Sequence, residues 1–266
     1  MSKHSPSLPP SLPGRLFNTV YGVYAATAFI FMALSAVALV AIPGLALHTR
    51  RILAHKVARG FFYVAGIPMR MTDVQQLPDS PCVIVANHAS YVDGVVLKAL
   101  LPARFCFVIK KEVVKVPLVG LLLKRIGSEF VDRFNRNAGA VDARRLMKAA
   151  DSGQALAFFP EGTFTDQPGL GKFHPGAFAI AARAGLPVVP VAIVGTRTVL
   201  PCGSFLPRPG RIEVRVLPIV YQPSDRTAAS VTTVRDQARA RILAALGEPD
   251  LSESDGVAAL EVARKS

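Results

Sequence analysis

Cysteine is scarce in this sequence, and its few copies lie far apart. The 266 residues contain three cysteines, Cys82, Cys106 and Cys202. An odd number at wide spacing does not make a disulfide framework, and no Cys-x-x-Cys pair or helix with paired histidines is present to hold a metal. We therefore expect the cysteines to be small buried hydrophobic residues in a reducing compartment, and we expect no metal site.

Two further signatures are missing. No Gly-x-Ser-x-Gly stretch occurs in the chain, which removes the strained turn that presents the nucleophilic serine in many hydrolases. The segment Gly169-Leu170-Gly171-Lys172 lacks the full spacing of a phosphate-binding loop. We expect no bound nucleotide.

Acidic residues are also few. The chain has 18 Asp and Glu against 31 Lys and Arg, a formal net charge of +13. Such an excess predicts an anionic partner. Charge by itself fits either nucleic acid or an anionic membrane face.

A long N-terminal segment carries no fixed charge, between Arg15 and Arg50. Roughly 20 apolar residues cross a bilayer core, so residues 16–47 are long enough to do so. Pro43-Gly44 then interrupts the pattern, which fits one tilted span or two shorter helices that form a hairpin in one leaflet. Two alternatives stay open: a signal peptide with Ala36-Val37-Ala38 as its cleavage site, and a core helix of a soluble protein.

The residues that flank this segment favour a membrane over nucleic acid as the partner. Basic residues on both sides of the segment favour a catalytic domain on the cytoplasmic side. From His55 to Val64 basic and bulky apolar residues alternate, as in an interfacial helix with Phe61 and Phe62 at the acyl boundary. Packing of these aromatic residues against the catalytic domain would explain them equally well. We expect membrane lipids, and no nucleic acid, as partners.

Beyond Met69 short apolar runs alternate with helical stretches. This alternation predicts an α/β domain with a mixed, largely parallel sheet flanked by helices, and sites beyond the carboxyl ends of the strands. The domain organisation we expect is a disordered segment 1–15, a membrane-embedded helical segment 16–66, a catalytic domain 67–246 and a disordered tail 247–266. The predicted strands are 82–86, 105–109, 155–159, 187–194 and 212–216, and the predicted helices are 92–101, 113–126, 138–150, 177–184 and 229–246.

Two short segments after predicted strands carry chemistry. His88 follows the first strand and Asp93 comes five residues later, so a turn can bring the carboxylate to one ring nitrogen while the other faces a pocket. The bland alternative is a helix-capping Asp93 beside a hydrogen-bonded histidine. After another strand comes Glu161-Gly162-Thr163, in which Glu161 could bind an acceptor hydroxyl and Thr163 could donate a hydrogen bond. An ordinary turn would also explain that segment.

Together these segments resemble the glycerolipid acyltransferase family, typified by 1-acylglycerol-3-phosphate acyltransferases. Four family blocks occur in the family's order, over roughly Met69 to Val216. They are Asn87-His88-Ala89-Ser90-Tyr91-Val92-Asp93; Lys111-Glu112 with Pro117, Gly120, Gly127 and Phe130-Val131-Asp132-Arg133; Phe159-Pro160-Glu161-Gly162-Thr163; and Val188-Val189-Pro190-Val191 followed by Gly195-Thr196.

The resemblance implies a membrane-bound enzyme that moves a fatty acyl group from acyl-CoA or acyl carrier protein to a lysophospholipid hydroxyl, first of all that of 1-acyl-glycerol-3-phosphate. No cofactor beyond the acyl donor is implied. His88 would be the general base, oriented by Asp93. Arg133 and Lys111 would hold the acceptor phosphate, and the Glu161 segment would shape the acceptor site. A surface ion pair with Asp132 is the other interpretation of Arg133.

One position departs from the family pattern. Members that act on lysophosphatidate commonly carry arginine directly after Glu-Gly-Thr, whereas this chain has Phe164. An aromatic ring cannot replace a cation at a phosphate. Either another basic residue helps to bind the phosphate, with Lys172 and His174 as candidates, or the acceptor is another lyso-lipid such as a lyso-aminolipid. Two other classes stay open: a serine lipid hydrolase using Ser90, and a basic nucleic-acid-binding or membrane-tethering module without catalysis.

Overall fold

The computed structural model describes residues 12–132, 136–225 and 227–252. Its N-terminal part is a hairpin of two helices, α1 (Leu12–Ala41) and α2 (Leu47–Val64). The hydroxyl of Tyr21 donates to the carbonyl oxygen of Ala65 at 2.8 Å, and that of Tyr24 donates to Val64 at 2.8 Å. Most of the uncharged segment is one helix, which ends at Ala41 just before Pro43-Gly44. This helix begins at Leu12, inside the stretch 1–15 that we expected to be disordered. Residues 1–11 lie outside the described part.

Helix α1 is long and apolar enough to cross a membrane, and only 17% of its most apolar window is buried. Large apolar side chains along it, including Leu16, Phe17, Ile30 and Phe31, are exposed. A helix in the core of a soluble protein buries such side chains. Helix α1 does not have that character.

Helix α2 packs against the catalytic domain through its aromatic residues. Phe61 and Phe62 are 2% and 1% exposed and belong to the same apolar cluster as Ile84 in the central sheet. Of the two explanations for this aromatic pair, the structure supports packing against the domain. The buried guanidinium of Arg51 donates to the carbonyl oxygens of Ile126 and Gly127 at 2.9 and 3.1 Å.

The catalytic domain is built on a mixed sheet of seven described strands in the order β1-β7-β6-β2-β5-β3-β4. All neighbouring strands pair in parallel except β6 and β7, which are antiparallel. This confirms the predicted fold class. The strands are β1 (Met69–Thr72), β2 (Val83–Ala86), β3 (Phe105–Lys110), β4 (Glu129–Val131), β5 (Ala155–Phe158), β6 (Val188–Val194) and β7 (Ile212–Val216).

Helices cover both faces of the sheet, because the central strands are apolar on both sides. Ile84 of β2 faces the cluster that includes α2 and α3, whereas Val83 and Val85 face the cluster formed with α5, α6 and α8. The remaining helices are α3 (Asp93–Leu100), α4 (Val119–Arg125), α5 (Arg136–Asp151), α6 (Gly176–Ala184), α7 (Thr196–Val199) and α8 (Ala228–Leu246).

The predicted helix 113–126 is wrong in its first half. The structure has a 3₁₀ helix over Lys111–Lys115 and then the shorter α4. Pro117 has no backbone N–H to continue the helix, and Leu118 adopts a φ of 62°. A Cβ on Gly120 would lie 2.2 Å from the carbonyl oxygen of Val114, so this tight turn requires glycine.

The described residues of the predicted disordered tail have defined contacts. Helix α8 ends at Leu246 and is capped by Gly247, whose φ is 65°, and the chain then runs beside residues 169–171. Leu170 donates to Pro249 and Leu251 donates to Leu170, both at 3.0 Å between backbone atoms. Arg239 of α8 holds this segment by donating to Asp250 at 2.9 Å. The expectation of disorder is therefore wrong for residues 247–252, because side-chain clamps compensate for a short, polar sequence.

Candidate active site

His88 lies directly beyond the carboxyl end of β2, where the chain turns into α3. Its Nδ1 is 2.8 Å from Oδ2 of Asp93, and Asp93 begins α3. Asn87 fixes the strand end, because its side chain donates to Ile193 at 3.0 Å and accepts from Ile193 at 2.7 Å on β6. The five-residue spacing thus closes as the sequence predicts.

Asp93 is fully buried, and three donors converge on one of its oxygens. Oδ2 accepts from His88 Nδ1 and from the backbone N–H groups of Ala89 at 2.6 Å and Ser90 at 2.8 Å. Oδ1 has no hydrogen-bond partner among the described residues. An ionised carboxylate only accepts, so Nδ1 of His88 carries a proton, and in the neutral form of the ring Nε2 then has a lone pair. That is the state a general base needs.

Glu161 joins the loop after β5 to the loop of His88. Its Oε1 accepts from the backbone N–H of His88 at 2.7 Å, and its Oε2 accepts from Gly171 at 2.8 Å. Burial raises the pKa of the Glu161 carboxyl, and the two N–H bonds partly oppose that rise. Both oxygens are thus engaged by backbone. These hydrogen bonds tie the loop of His88 to the loop after β5. The contact of Glu161 with an acceptor hydroxyl stays a prediction.

Aromatic rings surround the imidazole on two sides. The ring of His88 stacks on Phe159, with centroids 4.4 Å apart, and Phe164 meets it edge-on at 4.6 Å. Phe164 also contacts Tyr91, with centroids 4.8 Å apart. Phe164, at the position where related sequences commonly have arginine, therefore lines the cavity beside the imidazole.

A small cavity opens above His88. Gly162, with φ 83°, gives the loop after β5 the turn that brings Thr163 to the cavity. Two cationic side chains line the cavity, those of Lys172 and Arg197. The sequence motifs did not single out Arg197. The lining consists of His88, Glu161, Thr163, Phe164, Thr165, Gly169, Gly171, Lys172, Arg197 and Leu251.

The two residues predicted to hold phosphate, Lys111 and Arg133, are not among the described residues that line this cavity. Nζ of Lys111 lies 3.7 Å from Asp132 at the ends of β3 and β4, and its side chain is 63% exposed. Arg133 lies outside the described residues. Neither residue's predicted role is tested by the geometry.

Ser90 does not have the environment of a nucleophile. It is fully buried, and its hydroxyl donates to the carbonyl oxygen of Leu200 at 2.7 Å. It does not line the cavity with His88. The serine hydrolase alternative therefore lacks an accessible serine at this position.

The fold and the site define a class: an α/β domain with a histidine base, oriented by a buried carboxylate, beyond the carboxyl end of the central strand β2. The family model described as Acyltransferase matches residues 68–194. The chain is 34% identical to a chloroplastic 1-acyl-sn-glycerol-3-phosphate acyltransferase of Brassica napus, over 58% of this chain and 46% of that protein. It is 31% identical to the human 1-acyl-sn-glycerol-3-phosphate acyltransferase beta, over 67% and 64%.

A third relative has another acceptor in its name. The chain is 36% identical to the lyso-ornithine lipid O-acyltransferase of Pseudomonas aeruginosa, over 52% of each chain. The chain thus spans 46% to 64% of the length of these three relatives. The crystal structure of the 1-acyl-sn-glycerophosphate acyltransferase PlsC from Thermotoga maritima has the same fold, with a TM-score of 0.66 at 20% identity over 84% of this chain and 96% of that one. Residues 68–194 of the chain are an acyltransferase domain of the glycerolipid acyltransferase family.

Proposed function

We propose that this chain is a membrane-bound O-acyltransferase that moves a fatty acyl group from a thioester to a hydroxyl of a lysophospholipid or related lyso-lipid. One observation carries the proposal. The imidazole of His88, oriented by Asp93 at 2.8 Å, lines a cavity together with the Glu161 loop.

The reaction needs a proton to leave the acceptor hydroxyl. Nε2 of His88 takes that proton while the alcohol oxygen attacks the thioester carbonyl, and the buried carboxylate of Asp93 stabilises the imidazolium. Collapse of the tetrahedral intermediate breaks the carbon–sulfur bond and forms the ester. The imidazolium returns its proton to the leaving thiolate. An acyl thioester and an alcohol thus become an ester and a thiol, and no cofactor beyond the donor is required.

The oxyanion of the intermediate requires donors as well, since a positioned base supplies only about 10²- to 10⁴-fold in rate. The backbone N–H groups of His88, Ala89, Ser90 and Gly171 already donate to carboxylates. The donors for the oxyanion therefore come from other groups of the cavity.

Two acceptors have specific support. The Brassica napus and human relatives are named for 1-acyl-sn-glycerol-3-phosphate, which makes that lipid our first candidate, with Arg133 and Lys111 as candidate phosphate ligands and phospholipid biosynthesis as the setting. A lyso-aminolipid is the second candidate. It is favoured by Phe164 beside His88 and by the similarity to a lyso-ornithine lipid O-acyltransferase.

The donor and the location are part of the proposal. Acyl-CoA and acyl carrier protein both offer the required thioester, and both are anionic partners that suit a net charge of +13. The exposed apolar face of α1 supports insertion into the membrane, with the catalytic domain on the cytoplasmic side. The protein is expected to stay in the membrane fraction through alkaline carbonate extraction, and release into the supernatant would count against insertion.

The deciding experiment supplies the purified protein with a labelled acyl thioester and a panel of acceptors. We expect ester formation with lysophosphatidate, another lysophospholipid or a lyso-aminolipid, and its loss in His88→Ala. A tethering module without catalysis would give no product with any acceptor, and a histidine variant as active as the wild type would remove His88 from the chemistry.

A further inference from the structure

The position after Glu-Gly-Thr leaves the cavity without its usual cation. Phe164 fills that position and packs against His88 and Tyr91. Two cations remain in the cavity lining, Lys172 and Arg197. Lys172 is exposed, whereas the side chain of Arg197 is 18% exposed. A shielded cation interacts more strongly with an anion than an exposed one does.

Arg197 reaches the cavity from the strand next to that of His88. It belongs to α7, which follows β6, and β6 pairs with β2. A sharp turn at Gly195, with φ 94°, starts this short helix. The histidine and the guanidinium therefore approach one cavity from two adjacent parallel strands.

The guanidinium of Arg197 is incompletely satisfied. Its Nη1 donates to the carbonyl oxygen of Thr165 at 2.7 Å, and its Nη2 lies 3.7 Å from Oε2 of Glu248. Its Nε is buried without a hydrogen-bond partner among the described residues. Arginine carries five N–H donors, and a single hydrogen bond to the described residues is made here. A ligand oxygen that reaches Nη1 or Nη2 from the cavity would therefore find unused donors.

Glu248 is placed as an internal counter-ion. Its Oε2 accepts from the backbone N–H of Gly169 at 2.8 Å. This hydrogen bond holds the carboxylate beside the cavity, 3.7 Å from Nη2 of Arg197. The adjoining Leu251 lines the cavity and lies so close to Gly169 that a Cβ there would come within 2.5 Å of it. The segment after α8 thus supplies both a competitor for the guanidinium and an apolar cover.

We propose that Arg197 is the residue that binds the anionic head group of the acceptor, in place of the arginine absent at position 164. The inference rests on the function proposed above and adds the residue that selects the acceptor. The group recognised is an oxyanion: the phosphate of a lysophospholipid or the carboxylate of a lyso-aminolipid. The planar guanidinium matches both. Glu248 competes with that oxyanion for Arg197.

The test compares the acceptor kinetics of the full-length wild type with those of Arg197→Gln and Glu248→Gln. Arg144→Gln is the matched charge control, because Arg144 is exposed on α5 and lies outside the cavity. Acceptors are lysophosphatidate, a lyso-aminolipid that carries a carboxylate, and uncharged monoacylglycerol. Arg197→Gln should raise the KM of the anionic acceptor that the enzyme uses about 10- to 100-fold, as loss of one charge-assisted contact does. The KM of the donor and the KM of monoacylglycerol should rise much less, because neither contact involves the oxyanion of the acceptor head group. Glu248→Gln should lower the KM of the same anionic acceptor.

The outcomes separate this inference from the proposed function. Whichever anionic lipid shows the KM increase identifies phosphate or carboxylate as the group recognised. An active wild type whose arginine variant keeps its KM for every acceptor would overturn the role of Arg197. An equal KM increase for monoacylglycerol would mean that the loop at Thr165 had been disturbed, and would also overturn it. A wild type that acylates none of the acceptors would refute the proposed function itself.

Discussion

Replacement of Asp93 by asparagine separates two contributions of this carboxylate to the base. His88, Ala89 and Ser90 all donate to Oδ2, while Oδ1 has no partner in the described part of the chain. The new amide oxygen should therefore take the place of Oδ2, because the reverse orientation would set an NH₂ group against three donors. In this orientation Nδ1 of His88 keeps its proton, and only the negative charge is lost.

The expected magnitude follows from that geometry. A hydrogen bond to a charged group contributes about 1.5–3 kcal/mol and a neutral one about 0.5–1.5 kcal/mol. The difference of about 1–2 kcal/mol in stabilising the imidazolium corresponds to a fall in kcat of about 5- to 30-fold. The new NH₂ group would occupy the buried position of Oδ1 without an acceptor, at a cost of about 1–3 kcal/mol in folding stability. Removal of the base by His88→Ala should cost about 10²- to 10⁴-fold.

The assay compares kcat for the two variants at saturating donor and acceptor, with thermal unfolding of each as the folding control. Nitrogen NMR of labelled histidine reports which ring nitrogen carries the proton. An asparagine variant as inactive as His88→Ala, or one with the proton moved to Nε2, would refute the orientation argued above. Wild-type kcat would show that the charge of Asp93 is not used.

Three further outcomes are expected. Glu161→Gln should lower kcat and cost about 1–3 kcal/mol in stability, because an amide oxygen accepts only one of the two N–H bonds; kinetics and melting like the wild type would contradict this. Gly195→Ala should melt below Gly153→Ala, because both glycines have positive φ but only the former would place a Cβ 2.1 Å from a carbonyl oxygen; equal melting points would argue otherwise. Arg239 lowers the pKa of Asp250 below its ordinary 3.8, so their pairing stabilises the fold above that pH and is lost as pH falls through the lowered pKa; Asp250→Asn should remove this acid-dependent part of a pH series of unfolding.

The motifs predicted the base more completely than its surroundings. His88 follows the end of β2, and Asp93 comes five residues later at the start of α3. Local geometry therefore determines their contact. The roles of Glu161 and Arg197 depend on which strands are neighbours. Strand order is set by packing across the whole sheet, and linear spacing does not report it.

Short elements were the least visible in the sequence. Strands β1 and β4 have four and three residues and, unlike the equally short β2 and β5, they contain polar side chains that interrupt an apolar run. They form through pairing with β7 and β3. Likewise, no composition rule shows that residues 248–251 lie beside the cavity. That placement depends on the clamp between Arg239 and Asp250, whose side chains belong to separate segments.

The burial of Phe61 and Phe62 in the catalytic core makes the N-terminal hairpin part of the enzyme body. A truncation that removed α1 and α2 to obtain a water-soluble fragment would expose the apolar side chains that Phe61 and Phe62 now bury. We expect such a fragment to aggregate. If α1 is inserted in a membrane as proposed, the same attachment holds His88 at a fixed height above the bilayer. Substrates that differ in head-group size would then present their hydroxyls at different depths, and the rigid mounting would itself discriminate among them.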